Sequence, residues 1–404
     1  MQAVMYGGGN IGRGFIGMLF SQSGYHVSFV DVAPAVIEAL NERGQYPVRI
    51  LSGDGYEDVS VENVSAVDGK DASAVAEAIA SADVMATAVG VNVLPFIIPN
   101  LAAGIRLRRQ RNGGPLNILI CENLMDADKI LREKIGELLE GEDRLWMEEN
   151  VGLVEASIGR MVPVQTEEMK DGDPMRVCVE RYGFLPVDRD AFKGTVPEIC
   201  RMVPFSPFDF YLKRKLYIHN MGHATCAYLG DLLGDTYIYE AIDRPEIYRI
   251  VRGAMEESAR ALSSRYGVPF LEILDHIEDL LVRFTNRALM DTCKRVGGDP
   301  ARKLSPSDRL IGSSLLAEAE GVVPAYIAIG AAAGLYRYLG ENESLSQTLA
   351  DGEKVLQEHC GLSPDSTLFT RIRTALSEIL SGASLRDLAR MAEAEAAKAR
   401  PDVI

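Results

Sequence analysis

Ala3-Val-Met-Tyr6, then Gly7-Gly-Gly-Asn-Ile-Gly12, then His26-Val-Ser-Phe-Val-Asp31 is the most informative stretch of the chain. The first piece is a short apolar run that ends in glycines, as a buried strand does. Between the second and third pieces, Phe15, Ile16, Leu19 and Phe20 recur at helical spacing up to Gly24. The third piece is a second strand that delivers an acid. Strand, glycine turn, helix and acid-tipped strand make the dinucleotide-binding βαβ pattern. Gly7 permits the tight turn, Gly9 admits the backbone to a pyrophosphate, and Gly12 allows close packing. The helix start, with Asn10 and Ile11, offers free N–H groups and the positive end of a dipole. Asp31 suits ribose hydroxyls and repels a 2′-phosphate, and no Arg follows closely, so NAD is expected rather than NADP.

Outward from this unit the same rhythm continues. Asp83–Val89 reads as a strand ending at Gly90, and Leu116–Ile120 as another ending in Cys121-Glu-Asn123. Helix-compatible stretches such as Ala72–Ala80 separate them. Parallel strands joined by helices form a doubly wound sheet whose ligands sit beyond the strand carboxyl ends. Gly90 and Asn123 fall at such ends. Asn123 could equally cap a helix over Leu124–Leu131. The segment Val162–Gly194 is expected to extend the sheet in antiparallel fashion, ahead of a boundary near Thr195–Pro207.

Beyond Phe208 the texture turns helical: Pro245–Tyr266, Phe270–Ala288, Arg309–Glu320, Ala325–Leu339 and Leu385–Lys398 all carry the period. The fold class is therefore α/β, an N-terminal Rossmann-type doubly wound domain (1–200) followed by a mostly α-helical C-terminal domain (201–404).

The 404 residues carry 58 acidic and 42 basic side chains, a net charge of −16, which argues against a nucleic-acid surface. The longest apolar runs, Ala86–Ile98 and Val322–Tyr336, are too short or too interrupted for a membrane span. Six scattered cysteines without a C-x-x-C pair read as reduced thiols, and the N-terminus lacks signal-peptide features, so a cytoplasmic location is expected. The basic run Arg106–Gly114 reads as a solvated loop.

In the helical half, Lys215, Asn220 and His223 stand at i, i+5 and i+8. On a regular α-helix they share a sector of about 140°, although Lys215 could also precede the helix. His219 and His223 have the i, i+4 spacing of a zinc motif, but Asn220 takes the place of its essential Glu, so no metal is expected. Arg295, Arg302, Lys303 and Arg309 gather cations around Gly298 and Pro300. Such a cluster is either a solvated loop or a grip on an anionic or polyhydroxylated substrate.

Taken together, Gly7 to Gly17, Cys121-Glu-Asn123, Lys215-x4-Asn220-x2-His223 and Arg302-Lys-Leu-x3-Asp308-Arg309 resemble the polyol-specific long-chain dehydrogenases, the mannitol dehydrogenase family. The resemblance runs from Met1 to about Tyr338. It implies metal-independent oxidation of a secondary alcohol by NAD, foremost of mannitol 1-phosphate to fructose 6-phosphate and back. An unphosphorylated polyol or a sugar acid is the alternative substrate, and a non-catalytic NAD sensor the alternative class. Carried onto matching positions, Lys215 is the general base, Asn123 and Asn220 hold the substrate oxygen, and His223 orients it. Arg295 and Lys303, with Arg302 and Arg309, bind the substrate. A monomer or homodimer is expected, and the sequence does not choose between them. Where it commonly has an Asp, this chain has Gly159, and Glu155 is a candidate replacement.

Overall fold

The computed structural model describes residues 1–53, 55–124 and 126–398. The chain forms two compact units, Met1–Phe208 and Asp209–Ile404.

In the first unit the strands are β1 (Gln2–Tyr6), β2 (His26–Asp31), β3 (Gln45–Ser52), β4 (Gly55–Glu62), β5 (Val64–Asp68), β6 (Val84–Thr87), β7 (Leu116–Ile120), β8 (Val151–Glu155), β9 (Val177–Glu180), β10 (Leu185–Asp188) and β11 (Met202–Phe205). Six of them form a sheet in the order β5-β2-β1-β6-β7-β8, and every neighbouring pair in it is parallel. This is the doubly wound order, and it reverses direction between β1 and β6, where ligands bind in such sheets. Period-two alternation feeds both faces. Ala3 and Met5 join one buried cluster with Val27 and Phe29, while Val4 and Tyr6 join the other with Val30 and Met85. A strand buried on both sides reads as a near-continuous apolar run, which is why β7 is legible as Leu-Asn-Ile-Leu-Ile, where Asn117 is the one polar residue.

The segment expected to extend this sheet antiparallel does something else. β9 pairs in parallel with β3, and β3 with β4 makes an antiparallel hairpin, so the three form a separate small sheet. β10 pairs in parallel with β11. The only antiparallel link to the main sheet in this region, among the described residues, is the bridge Ala156↔Val187. Alternation within Met175–Glu180 reveals a strand with a buried face but not its partner, which a contact more than a hundred residues away decides.

The second unit is helical. Its centre is the helix Ala325–Glu341, which packs against Met221–Leu232, Pro245–Tyr266 and Thr367–Leu380. Ile327, Ala328, Ile329, Ala331, Ala332 and Ala333 are all buried. Apolar side chains around the whole circumference mark an interior helix, and the small ones let its neighbours approach. Glu257, buried on Pro245–Tyr266, caps this helix by accepting the backbone N–H groups of Tyr326 at 2.9 Å and Ile327 at 3.0 Å. Among the described residues no helix is long and apolar enough to cross a membrane.

Candidate active site

The glycine turn follows β1 directly. Gly7 adopts φ +105°, a left-handed conformation that a side chain would strain, and its N–H bonds to the Val30 carbonyl at 2.8 Å. A Cβ on Gly12 would overlap the Gly7 carbonyl oxygen, so the turn closes only with glycine there. Over Gly9 the space is open, with nothing within 4 Å of where a Cβ would stand. The helix begins at Asn10, with Arg13 N bonding the Gly9 carbonyl at 2.9 Å, and passes at once into a π-helical turn over Gly12–Gly17. An open glycine surface at a helix start fits the pyrophosphate of a dinucleotide.

Two side chains brace this turn. Asp31 Oδ2 accepts the Gly8 N–H at 2.7 Å, while Oδ1 accepts those of Val32 at 2.8 Å and Ala33 at 2.9 Å. The acid expected to meet ribose therefore also ties β2 to the turn, and a carboxylate's four lone-pair sites leave room for both duties. Arg13, buried, gives Nε to the Gly8 carbonyl and Nη1 to that of Met175, both at 2.6 Å. Burial pushes its guanidinium below the ordinary range. Nothing local in the sequence marks Arg13, because its partner Met175 lies far along the chain.

At the end of β6, Gly90 has φ +91°. Its N–H and that of Val89 are accepted by Glu122 through Oε2 and Oε1, each at 2.9 Å. Glu122 is buried at the end of β7, and it too was passed over by sequence reasoning. Its neighbour Asn123 is exposed. It does not cap the next helix: that helix runs Ala127–Glu137 with Asp126 at its N-cap position. The Ala127 N–H is taken instead by Glu155 at 3.0 Å. Glu155 stands at the end of β8, where burial and then Asp128 push its carboxyl up to about 7.

In the second unit, Lys215 lies inside a helical run that opens at Asp209 rather than just before it. The run is not a regular α-helix. Lys215–Asn220 is a π-helical turn, with Met221 N reaching back five residues to the Leu216 carbonyl, and an α-helix follows over Met221–Leu232. Hydrogen bonding at i+5 spaces residues differently from an α-helix, so the sector of about 140° worked out for a regular α-helix does not carry over to this turn. Such turns recur at functional sites, and here both the glycine turn and the Lys215–Asn220 segment carry one.

His223 stacks on Phe284 with ring centroids 4.7 Å apart and planes at 17°. Its Nε2 lies 3.4 Å from Oδ2 of Asp291. The other oxygen, Oδ1, accepts Arg295 Nε at 2.9 Å and Nη2 at 2.5 Å. Burial alone would raise the Asp291 carboxyl, but His223 and Arg295 hold it below the usual carboxylate range. No sequence signal pointed to Asp291, which lies 68 residues from His223. His219, the other half of the i, i+4 pair, is buried, and burial pushes its imidazole well below the ordinary range. Among the described residues no group of three or more His, Cys, Asp or Glu could hold a metal ion.

The cation cluster is largely paired. Arg302 bonds Asp299 at 2.8 Å and Asp308 at 3.0 Å, and Arg309 bonds the other Asp308 oxygen at 2.7 Å. Lys303 is buried and donates to the carbonyls of Val296, at 2.7 Å, and Gly298. Burial, with Arg309 and Arg302 beside it, pushes its ammonium down to about 8. In the first unit, a Cβ on Gly159 would come within 3.1 Å of the Tyr182 ring, so that ring fills the space where a larger residue would stand.

A parallel sheet with a braced glycine turn at its switch point, accompanied by a helical unit bearing Lys, Asn and His around one π-turn, defines a nicotinamide-dinucleotide alcohol dehydrogenase in class. Residues 1–201 match the mannitol dehydrogenase Rossmann domain and residues 208–383 the mannitol dehydrogenase C-terminal domain. The chain belongs to the mannitol dehydrogenase family. It is 39% identical over 335 residues to the mannitol-1-phosphate 5-dehydrogenase of Brevibacillus brevis, covering 83% of this chain and 86% of that one. Among solved structures, it is similar to Pseudomonas fluorescens mannitol 2-dehydrogenase in ternary complex with NAD and D-mannitol, with TM-score 0.76, 16% identity and 96% and 94% of the two chains covered. A D-sorbitol dehydrogenase in substrate-free form gives TM-score 0.78 at 14% identity, covering 97% and 95%. At these identities the two structures share the fold.

Proposed function

We propose that this chain is an NAD-dependent, metal-independent oxidoreductase that interconverts a sugar-alcohol phosphate and a ketose phosphate, with D-mannitol 1-phosphate and D-fructose 6-phosphate as the pair. The observation that carries the reading is the 39% identity, over most of both chains, to a mannitol-1-phosphate 5-dehydrogenase. Gly7, Gly9, Asn10, Ile11, Gly12, Asp31 and Gly90 hold the cofactor, which when bound accepts the hydride.

Lys215 is the general base. It takes the hydroxyl proton of the secondary alcohol as the carbinol hydride leaves with its electron pair, and the oxygen becomes a carbonyl. Serving as base requires the neutral amine, against an unperturbed pKa of about 10.4. Asn123 and Asn220 donate to the oxygen as negative charge develops on it. Donors of this kind are worth roughly 3 kcal/mol each. His223 orients the substrate, and Arg295, Arg302, Lys303 and Arg309 bind its hydroxyls and phosphate. In the reverse direction Lys215 returns the proton. The enzyme acts as a cytoplasmic monomer or homodimer.

An unphosphorylated polyol is the second reading. Arg302 and Arg309 spend part of their charge on Asp299 and Asp308, which leaves fewer free donors for a phosphate. Parallel rates with mannitol 1-phosphate and mannitol separate the two, and faster turnover of free mannitol overturns the first. Lys215→Ala should bind NADH normally and lose turnover by several orders of magnitude. Undiminished turnover would remove Lys215 from the mechanism.

A further inference from the structure

We infer that Asp291 is a positioning residue that acts through His223, fixing the ring so that Nδ1 is the bare nitrogen offered to a substrate hydroxyl, and tying that ring to Arg295. The inference rests on the site reading above, in which His223 meets the substrate.

Three observations converge on it. The first is how Asp291 itself is held. It is buried, it follows Met290 in a left-handed conformation (φ 48°), and its carbonyl accepts the Ile238 N–H at 2.9 Å. Two residues on, Cys293 N bonds the Thr236 carbonyl at 2.9 Å. The main chain on both sides is thus anchored, and the carboxylate is placed by the fold rather than by side-chain flexibility.

The second is how the ring is held. Phe284 lies flat against one face of His223 at 4.7 Å, and Asp291 Oδ2 faces its Nε2 edge at 3.4 Å. A face and an edge fixed together leave the imidazole little rotation. The contact lacks hydrogen-bond geometry, and buried Nε2 has no hydrogen-bond partner among the described residues, so Oδ2 is an acceptor that faces it without yet being aligned; catalytic hydrogen bonds often align only in the substrate complex.

The third is the chemistry of the partner. An ionised carboxylate only accepts, so Nε2 is the nitrogen that carries hydrogen, and a neutral ring then has a bare lone pair on Nδ1. Arg295, paired with the other oxygen, favours that ionised form. Its remaining oxygen binds Arg295 through two nitrogens, so one buried acid sets the orientation of two groups assigned to the substrate. Arg295 alone, without the His223 contact, would make Asp291 a structural anchor and nothing more.

A double-mutant cycle separates these roles. Asp291→Asn, His223→Ala and the double variant are compared by kcat/KM for mannitol 1-phosphate at saturating NAD. Asp291→Asn should lower kcat/KM roughly 10- to 100-fold, the range for loss of a charged hydrogen-bond partner, with the KM for NAD unchanged. In the His223→Ala background the same substitution should cost clearly less, by about threefold or more, what remains being its effect through Arg295, since coupled residues are non-additive. Equal factors in both backgrounds overturn the inference. If His223→Ala alone leaves kcat/KM at the wild-type value, the site reading itself fails, which is a distinguishable result. Nitrogen NMR of the unmutated enzyme, labelled at its five histidines, gives an independent check that needs no folded Asp291 variant. The signal lost in His223→Ala should report hydrogen on Nε2, and hydrogen on Nδ1 would refute the assignment.

Discussion

Glu122 accepts the backbone N–H of Gly90 at 2.9 Å, and with its second oxygen that of Val89 at the same distance. One buried carboxylate at the end of β7 therefore shapes the end of β6, on the far side of the β1–β6 reversal from the glycine turn. Glu122→Gln keeps one acceptor and turns an N–H donor toward the other backbone N–H. The expected cost is roughly 1–3 kcal/mol, the penalty for an unsatisfied buried donor. A lowered urea midpoint together with weaker NADH binding would bear this out. Unchanged midpoint and affinity would mean the clamp is dispensable.

Asp31 acts on the same turn through Gly8, at 2.7 Å. Its negative charge repels a 2′-phosphate, and Val32, Ala33 and Pro34 offer no cation to welcome one. Asp31→Asn removes the charge while retaining an acceptor. The NAD over NADP preference in kcat/KM should narrow by roughly tenfold or more, since each tenfold is ~1.4 kcal/mol. A preference that stays constant would assign cofactor choice to other residues.

Gly12 is confined by backbone rather than by a movable side chain, since an added Cβ meets the Gly7 carbonyl oxygen. Gly12→Ala must push β1 and the π-turn apart. Overpacking of this kind costs about 1–3 kcal/mol, and here the strain falls on the phosphate-binding surface. We expect a lower melting temperature and loss of NADH fluorescence enhancement together, whereas a loss of stability with full NADH affinity would show that the turn absorbs the methyl elsewhere.

How much of this was legible in the sequence follows the range of the interaction. β7 and the helix Pro245–Tyr266 could be read to the residue, because a buried run and a helical period are local signals. The helices Leu349–Glu358 and Thr367–Leu380 and the β3–β4 hairpin went unread, although each has an alternating or periodic face. Lys215, Asn220 and His223 were found by motif, but their π-turn was not, since i+5 bonding follows from packing rather than propensity. Arg13, Glu122 and Asp291 share one cause of invisibility: each acts on a residue distant in sequence, through a contact that only the fold creates.

Glu257 is the buried acid whose titration should be felt in stability. Burial pushes its carboxyl up to about 8, against 4.5 for an unperturbed side chain, and the N–H groups of Tyr326 and Ile327 offset only part of that. Between those values the unfolded chain has released the proton while the native state keeps it. The unfolded state then binds fewer protons, so stability contributed at this position is complete below pH about 4.5 and is lost as pH rises through the folded value. Glu257→Gln cannot ionise but still presents a carbonyl oxygen to the start of Ala325–Glu341. Chemical denaturation at pH 5 and pH 8 should show wild type losing more stability across the interval than the variant does, with the variant the more stable of the two at the higher pH. Parallel pH dependences would mean that the native carboxylate is already ionised at pH 5, its charge carried by the helix N-terminus it caps.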